Sequence, residues 1–469
     1  MKSIKSFTIL AIFLILTNCS VPTTDYFVDA QSGNDINPGT LRKPFKTIER
    51  VNLLQLRAGN SVYFAGGQTF AGTVKLSGVS GTKEKPVTIG SYGNGRAIIN
   101  GENGNAIQAS VCSWLQVKNL IVTGNGRLKG NTGSGVEFRG TLDCSIDSIE
   151  ASGFLWSGVK AVGGKNLRIT NVYSHDNGFS GINVESDGQD ADGLEGSGAK
   201  SFMNLYIANC VADNNPGCPE VKNNHSGNGI LIGGVTNGIV EYCEAMNNGW
   251  DMPREGNGPV GIWAYQSDSI TIQYCYSHDN KTSEIGKDGG GFDFDGGITN
   301  SVMQHNFSAN NEGAGYGLFQ YYGASVWKNN IIRNNISYND GRKNGQAGFL
   351  MWIAEDSPEP ISNCQIYENT VVNCYGHAVS FEPGAYPVFN FKNNIFVLTG
   401  HSVSFVNGNY SGATFTKNQA WSTDRKVPLA FPEDKQASLT DPKIKLPVDD
   451  TELPKNVAEL KKMKLFKAD

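Results

Sequence analysis

"GIWAYQSDSITIQYCYSHDN" (residues 261–280) holds one complete structural unit: an opening glycine, a short apolar alternation, a second alternating segment, and a turn of Ser, His, Asp and Asn. Alternation with period two, bounded by turn residues, is the signature of short strands. The unit recurs along the chain. Its openings are "GVKAVG" (158), "GINVES" (181), "GILIGG" (229), "GFDFDG" (291), "GLFQYY" (317), "GFLMWI" (348) and "AVSFEP" (378). Its closings include "LRITNVYSHDN", "SVMQHNFSANN" and "KNNIIRNNISYND". Strand-and-turn units of about 20–30 residues without helical periodicity point to a β-solenoid, in which each unit stacks on the last. A flat antiparallel sandwich leaves unexplained why one turn sequence returns at one place in every unit.

The rest of the chain fits an exported globular protein. It has 469 residues, 39% hydrophobic and 18% charged, enough for a large core. The net charge of −5 comes without a long basic run, which argues against a nucleic-acid partner. At the N-terminus, Lys2 and Lys5 precede an apolar run from Phe7 to Leu16 that is too short to span a membrane. "LTNC" then ends at Cys19 and resembles a bacterial lipobox. That resemblance implies lipidation of Cys19 and tethering at the outer membrane or cell surface, so the membrane is met only through a lipid anchor. An ordinary secretory signal is the competing reading. The expected divisions are a signal over 1–19, an N-terminal cap and first rungs over 20–105, a solenoid carrying the activity over 106–420, and a tail over 421–469.

Aligning the units yields columns. Just before the Asn-rich turn stand Val172, Cys210, Cys243, Cys275, Asn306, Asn335, Asn369 and Asn394. Cysteines in a buried column act as small hydrophobes, and asparagines there can bond up and down the stack as a ladder. The cysteines are therefore expected as free thiols, and no CxxC or His/Cys spacing suggests zinc.

Glycine-opened rungs, "SHDN" turns and an asparagine ladder resemble the right-handed parallel β-helix of pectate-lyase-like carbohydrate-active enzymes. "YFVDAQSGNDINPGTLRKPFKTIERV" (26–51) is similar to the N-terminal entry of that superfamily, with "FKTIERVNLLQL" as the expected capping helix. The resemblance covers roughly residues 25–420 and implies an all-β fold and a polysaccharide or oligosaccharide substrate. It does not choose a reaction, because this architecture hosts lyases, hydrolases, epimerases and phage tailspikes.

Within each first strand, the residue after the glycine is apolar and is expected inside: Val159, Ile182, Ile230, Ile262, Phe292, Leu318, Phe349 and Val379. The intervening positions then face outward. They pair Trp263 with Tyr265, Asp293 with Asp295, Phe319 with Tyr321, Leu350 with Trp352, and Ser380 with Glu382. Aromatic faces stack on sugar rings, and paired carboxylates supply the acid and base or nucleophile that cleave a glycosidic bond. Trp263, Tyr265, Phe319, Tyr321 and Trp352 are thus the candidate sugar platform, and Asp293 and Asp295 the candidate catalysts.

Insertions at 214–228, 247–260, 280–290 and 339–347 precede these strands and are expected to wall the patch with Asp251, Arg254, Glu255, Glu284, Lys287 and Arg342. Arg254 and Lys287 are the candidate substrate-binding cations. Glu312, on the loop after the aspartates, is either an ordinary surface glutamate or the proton donor. "ESDGQDADGLEGSG" (185–198) offers Asp187, Asp190, Asp192 and Glu195 as hard oxygen ligands for Ca²⁺, or as a solvated loop, since the calcium-loop pattern is incomplete. His175 and His278 recur at one turn position and read as structural; His225 and His305 have no assignable partner.

Three activities follow. Hydrolysis would use Asp293 and Asp295 with Glu312 and needs no cofactor; "GFDFDGG" resembles the acidic strand of β-helix glycoside hydrolases such as β-xylosidases and α-fucosidases, without a full motif that would carry roles over. β-Elimination on a uronate glycan would instead make the aspartates Ca²⁺ ligands and Lys287, Arg254 or Lys222 the base. A noncatalytic glycan-binding protein would need only the aromatics. The expected protein is a monomer. The tail segment "NVAELKKMKLF" is an amphipathic helix expected to cap the C-terminal end of the solenoid.

Overall fold

A computed structural model describes residues 24–187, 201–354, 361–373, 375–382, 389–399, 402–423, 434, 436–444 and 450–463. Cys19, the 1–19 signal, Asp190, Asp192 and Glu195 lie outside the described residues; Asp187 is exposed at the margin.

The chain is an all-β right-handed parallel β-helix, and three strands per turn stack into three parallel sheets. The first sheet includes Ser180–Glu185, Asn228–Gly233, Val260–Tyr265, Gly290–Phe294, Tyr316–Gln320, Ala347–Ile353 and His377–Phe381, each paired with the next. Asp268–Gln273, Val302–Gln304 and Ile331–Arg333 belong to the second. Tyr276–His278, Phe307–Ala309 and Ile336–Tyr338 belong to the third. Parallel stacking begins with Asp25–Val28 on Ser61–Ala65 and continues through the first rungs without interruption. The core is the interior of this tube, with Ile182, Ile230, Ile262 and Phe292 fully or almost fully buried in one column.

Two sharp corners explain the repeating turn. The residue before each third-sheet strand pair adopts left-handed backbone: Tyr274 (φ 53°), His305 (φ 54°) and Asn334 (φ 53°) precede Cys275, Asn306 and Asn335. Such a corner interrupts strand pairing, and a side-chain amide replaces the lost backbone partner. Asn306 Nδ2 donates to Asn335 Oδ1 at 3.1 Å, Asn335 to Asn369 at 3.0 Å, and Asn369 to Asn394 at 3.0 Å. The expected asparagine ladder is therefore present, and it continues to Asn418. A second ladder follows the next corner, from Asn177 through Asn215, Asn248, Asn280 and Asn311 to Asp340. Cys112, Cys144, Cys210, Cys218, Cys243, Cys275 and Cys364 are buried free thiols. His305 belongs to the first corner column, stacked on Tyr274 with ring centroids 5.0 Å apart.

The opening glycines are steric requirements. A Cβ on Gly291 would lie 2.2 Å from Ser308 Oγ, because the second-ladder turn presses its serine into that space. Gly315 meets Ser337 Oγ in the same way, at 2.5 Å, and is the true opening glycine of its rung. Phe292 accordingly pairs with Tyr316 and not with Leu318, which shifts the expected register by two residues. Tyr316 goes inside because its ring stacks between Phe292 and Phe349, at 5.3 and 5.2 Å, while its hydroxyl reaches the carbonyls of Asn306 and Ile336.

Both expected helices are shorter or differently placed. The N-terminal helix spans only Ile48–Val51, because Asn52 ends it by binding Thr73 O and Lys75 N of the adjacent strand segment. The C-terminal helix, Val457–Lys462, lies on the flank of the third sheet rather than over the end. Leu460 packs with Tyr276, Phe307 and Ile336, and Val457 N–H donates to Glu244 Oε2 at 3.0 Å.

Candidate active site

A cleft of about 400 Å³ opens on the outer face of the first sheet, and its lining includes Asp288, Asp293 and Asp295. Asp293 stands outward on Gly290–Phe294, next to Trp263 on one rung and Gly317 on the other. Asp295 follows at the strand end, where its N–H still bonds Ala264 O at 2.9 Å. Asp288 comes from the preceding loop and is anchored there because Gly258 N–H donates to Oδ2 at 2.5 Å. The two strand aspartates thus owe their placement to β alternation, and the third owes it to a loop bond.

Burial and mutual repulsion raise the pKa of all three carboxyls. Asp293 is 3% exposed, and its Oδ1 has no hydrogen-bond partner among the described residues. Its pKa is well above the carboxylate range, first from desolvation, then from Asp295 and Asp288. Asp295 is half-buried and pushed up to about 7 by desolvation, opposed by the 2.7 Å bond from Gly296 N–H and reinforced by Asp288. Asp288 is raised by desolvation, but the Gly258 bond and the charges of Lys287 and Arg254 favour its ionised form. The cleft therefore favours a protonated carboxyl at Asp293, with Asp295 pushed up to about 7 beside it.

Gly317 makes room for this arrangement. A Cβ there would sit 2.8 Å from the Phe319 ring and 3.1 Å from Asp293 Oδ1. The missing side chain lets Phe319 fold across its own strand and Asp293 lie flat above it.

All seven candidate substrate-binding residues, Trp263, Tyr265, Phe319, Tyr321, Trp352, Arg254 and Lys287, line the cleft. The aromatics are not one open platform. Trp263 and Tyr265 are only 4% and 5% exposed, because Phe179, Cys218, Leu231 and Val260 pack around them. They form a closed wall, whereas Trp352 remains 38% exposed opposite. Phe319 meets Trp352 edge to face at 6.3 Å, and Tyr321 hydroxyl accepts from Gln266 Nε2 at 3.0 Å.

Glu312 is not in the cleft lining. Its carboxylate accepts from Thr282 N–H at 2.9 Å and faces Lys343 at 3.8 Å, which makes it a loop-holding residue. Of the other loop charges, Asp251 pairs with Arg127 at 2.6 Å and Arg342 lies over Tyr375. Glu255 and Glu284 are exposed outside the lining. Among the described residues, no group of three His, Cys, Asp or Glu side chains is arranged to hold a metal ion.

Sequence reasoning missed Asp288 and His225. Loops carry no alternation to reveal direction, and the only hint at Asp288 was its place beside the glycines that open the aspartate strand. His225 is buried in the cleft wall beside Trp263.

Residues 134–339 match the family model of a right handed beta helix region. No curated protein matches the sequence. Among solved structures, the chain is similar to a GH136 lacto-N-biosidase from Eubacterium ramulus, with TM-score 0.57 and 17% identity over 84% of this chain and 67% of that one. It is also similar to a mannuronic acid specific polysaccharide family 6 lyase from human gut microbiota, with TM-score 0.57 and 14% identity over 86% and 87%. A third likeness is to the A-module of the mannuronan C-5 epimerase AlgE6 from Azotobacter vinelandii, with TM-score 0.53 and 13% identity over 77% and 90%. These likenesses establish the architecture.

Proposed function

We propose that the protein is a glycoside hydrolase acting on an oligosaccharide or polysaccharide bound in this cleft. The observation that carries the reading is the convergence of Asp288, Asp293 and Asp295 in an environment that keeps at least one of them protonated. Glycosidic hydrolysis needs one carboxylic acid to protonate the leaving oxygen and one carboxylate as base or nucleophile. Asp295, partly exposed in the cleft and pushed up to about 7, suits the donor. Asp288, flanked by Lys287 and Arg254, suits the carboxylate. Asp293 feels both of them, and Asp288 acts directly on Asp295. The buried Trp263 and Tyr265 wall and the more open Phe319 and Trp352 face supply apolar surfaces for sugar rings.

A second reading, β-elimination on a uronate glycan, is favoured by the cations of the same cleft, since Arg254 or Lys287 could neutralise or deprotonate a uronate. Ca²⁺ would be its cofactor, and the aspartates the residues to hold it. The hydrolytic reading takes precedence because it uses the protonated carboxyl that burial and neighbouring acids favour at Asp293 and Asp295. The test incubates wild-type and Asp295→Asn protein with a panel of plant, algal and animal glycans. Products with saturated ends, lost in the variant, support hydrolysis; unsaturated ends absorbing in the ultraviolet and abolished by chelator support elimination. A wild-type protein that binds glycans but cleaves none would make it a binding protein.

A further inference from the structure

His225 stands buried in the cleft wall between two aromatic rings. Phe179 lies 5.5 Å away, and Trp263 meets the ring edge to face at 4.9 Å. Its Nδ1 is 3.0 Å from Nδ2 of Asn228, a residue with no exposed surface. The orientation of that amide is fixed by its other partners. Asn228 Oδ1 accepts from Val260 N–H at 3.2 Å and from Trp263 Nε1–H at 3.1 Å, both of which can only donate. Nδ2 therefore faces the other way, towards Phe179 O at 3.3 Å and His225 Nδ1. An amide nitrogen has only protons to offer, so Nδ1 must be the acceptor and the proton of a neutral imidazole must sit on Nε2.

We infer that Asn228 locks His225 in its Nε2–H tautomer, and that His225 thereby recognises a neutral sugar oxygen, a hydroxyl or ring oxygen, in the cleft beside the Trp263 wall. This assignment rests on the carbohydrate reading of the site. His225 is a positioning residue: it donates one directed bond and takes no part in proton transfer. Charge would defeat the role twice, because protonation would break the Asn228 bond and place a cation near Arg254. Burial first, then Arg254, push its pKa down to about 3, in keeping with a ring that stays neutral. An anionic substrate group would instead be drawn to Arg254 and Lys287, which line the cleft with it.

The tautomer is tested without any substrate, by imidazole nitrogen chemical shifts in histidine-labelled protein, with the His225 signals assigned by comparison with His225→Gln. A neutral Nε2–H ring that does not titrate between about pH 5 and 8 is expected. An Nδ1–H ring, or one titrating near 6.5, would overturn the proposal whatever the enzyme does. The recognition is tested by calorimetry on Asp295→Asn protein with lacto-N-tetraose and with trimers of mannuronate and galacturonate as probes. For a probe that binds, adding His225→Ala should weaken affinity about tenfold. Adding Asn228→Asp, which turns Nδ1 into a donor, should make that affinity pH-dependent. Unchanged, pH-flat affinities in both would overturn the role. If no probe binds, the recognition role falls together with the carbohydrate reading it rests on, while the nitrogen shifts still decide the tautomer.

Discussion

At the residue scale the account depends on three aspartates and a glycine. Asp295→Asn should cut turnover by about 10²–10⁴-fold while leaving the fold intact, as removal of a general acid does. The pH profile follows from sign: with its pKa raised to about 7, Asp295 is competent below that value, so kcat/KM should fall as pH rises through about 7. A flat alkaline limb would remove Asp295 from the donor role. Gly317→Ala puts a methyl against Phe319 and Asp293, and should lower kcat/KM by about tenfold or more with little change in circular dichroism. Glu312→Gln should keep near wild-type turnover and lose about 1 kcal/mol of stability through a weaker bond to Thr282 N–H, measured by denaturant melts. Asp293 and Asp295 were legible in the sequence because strand alternation states which side chains face out. Asp288 was not, because it is placed by loop bonds, Gly258 N–H to its Oδ2 and Gly289 N–H to Pro259 O among them, that no sequence pattern announces.

At the scale of elements, the ladders set the corner geometry and hence the register of every rung. Asn335→Ala would strip partners from Asn306 and Asn369 and should cost about 2–4 kcal/mol. The second ladder ends on Asp340, whose buried carboxyl is raised to about 6 by desolvation despite bonds from Ser337 and Asn311. A folded pKa above the unfolded value means that the neutral form favours folding. That contribution is complete below about 3.8 and is lost as pH rises through about 6. Asp340→Asn should therefore stabilise the protein by about 1–3 kcal/mol at pH above 7 and hardly at all near pH 4, read from paired melts. The first ladder was legible because its asparagines share a column with apolar cysteines. The second was hidden inside the same turn words, the Asp-Asn and Asn-Asn pairs, which look like ordinary polar turns until the left-handed corner between them is seen. The two-residue register slip at Tyr316 has a similar origin: glycines at 313, 315 and 317 all read as possible rung openings, and only the packing of Gly315 against Ser337 Oγ shows which one opens the strand.

At the scale of the whole molecule, stacked rungs give a rigid outer face, and the C-terminal segment straps its flank. Ile444, Leu453, Val457 and Leu460 cover an apolar stripe that includes Phe307, Ile336 and Val372. Leu460→Asp should loosen the strap and lower stability by about 2–4 kcal/mol, with hydrogen exchange rising over 450–463 and turnover in the distant cleft preserved. The solenoid itself was readable from its repeat, because a periodic sequence has few ways to bury its core. The strap was readable as a helix but not as a flank contact, since nothing in the tail names its partner. Architecture alone does not choose a reaction, and the proposed hydrolytic reading rests on the carboxyl cluster. The direct test is the mass of the products released from a cleaved glycan. Hydrolysis predicts that the fragments together gain one water per bond broken and carry saturated ends. Fragments with no gain of water and an unsaturated end would contradict the account.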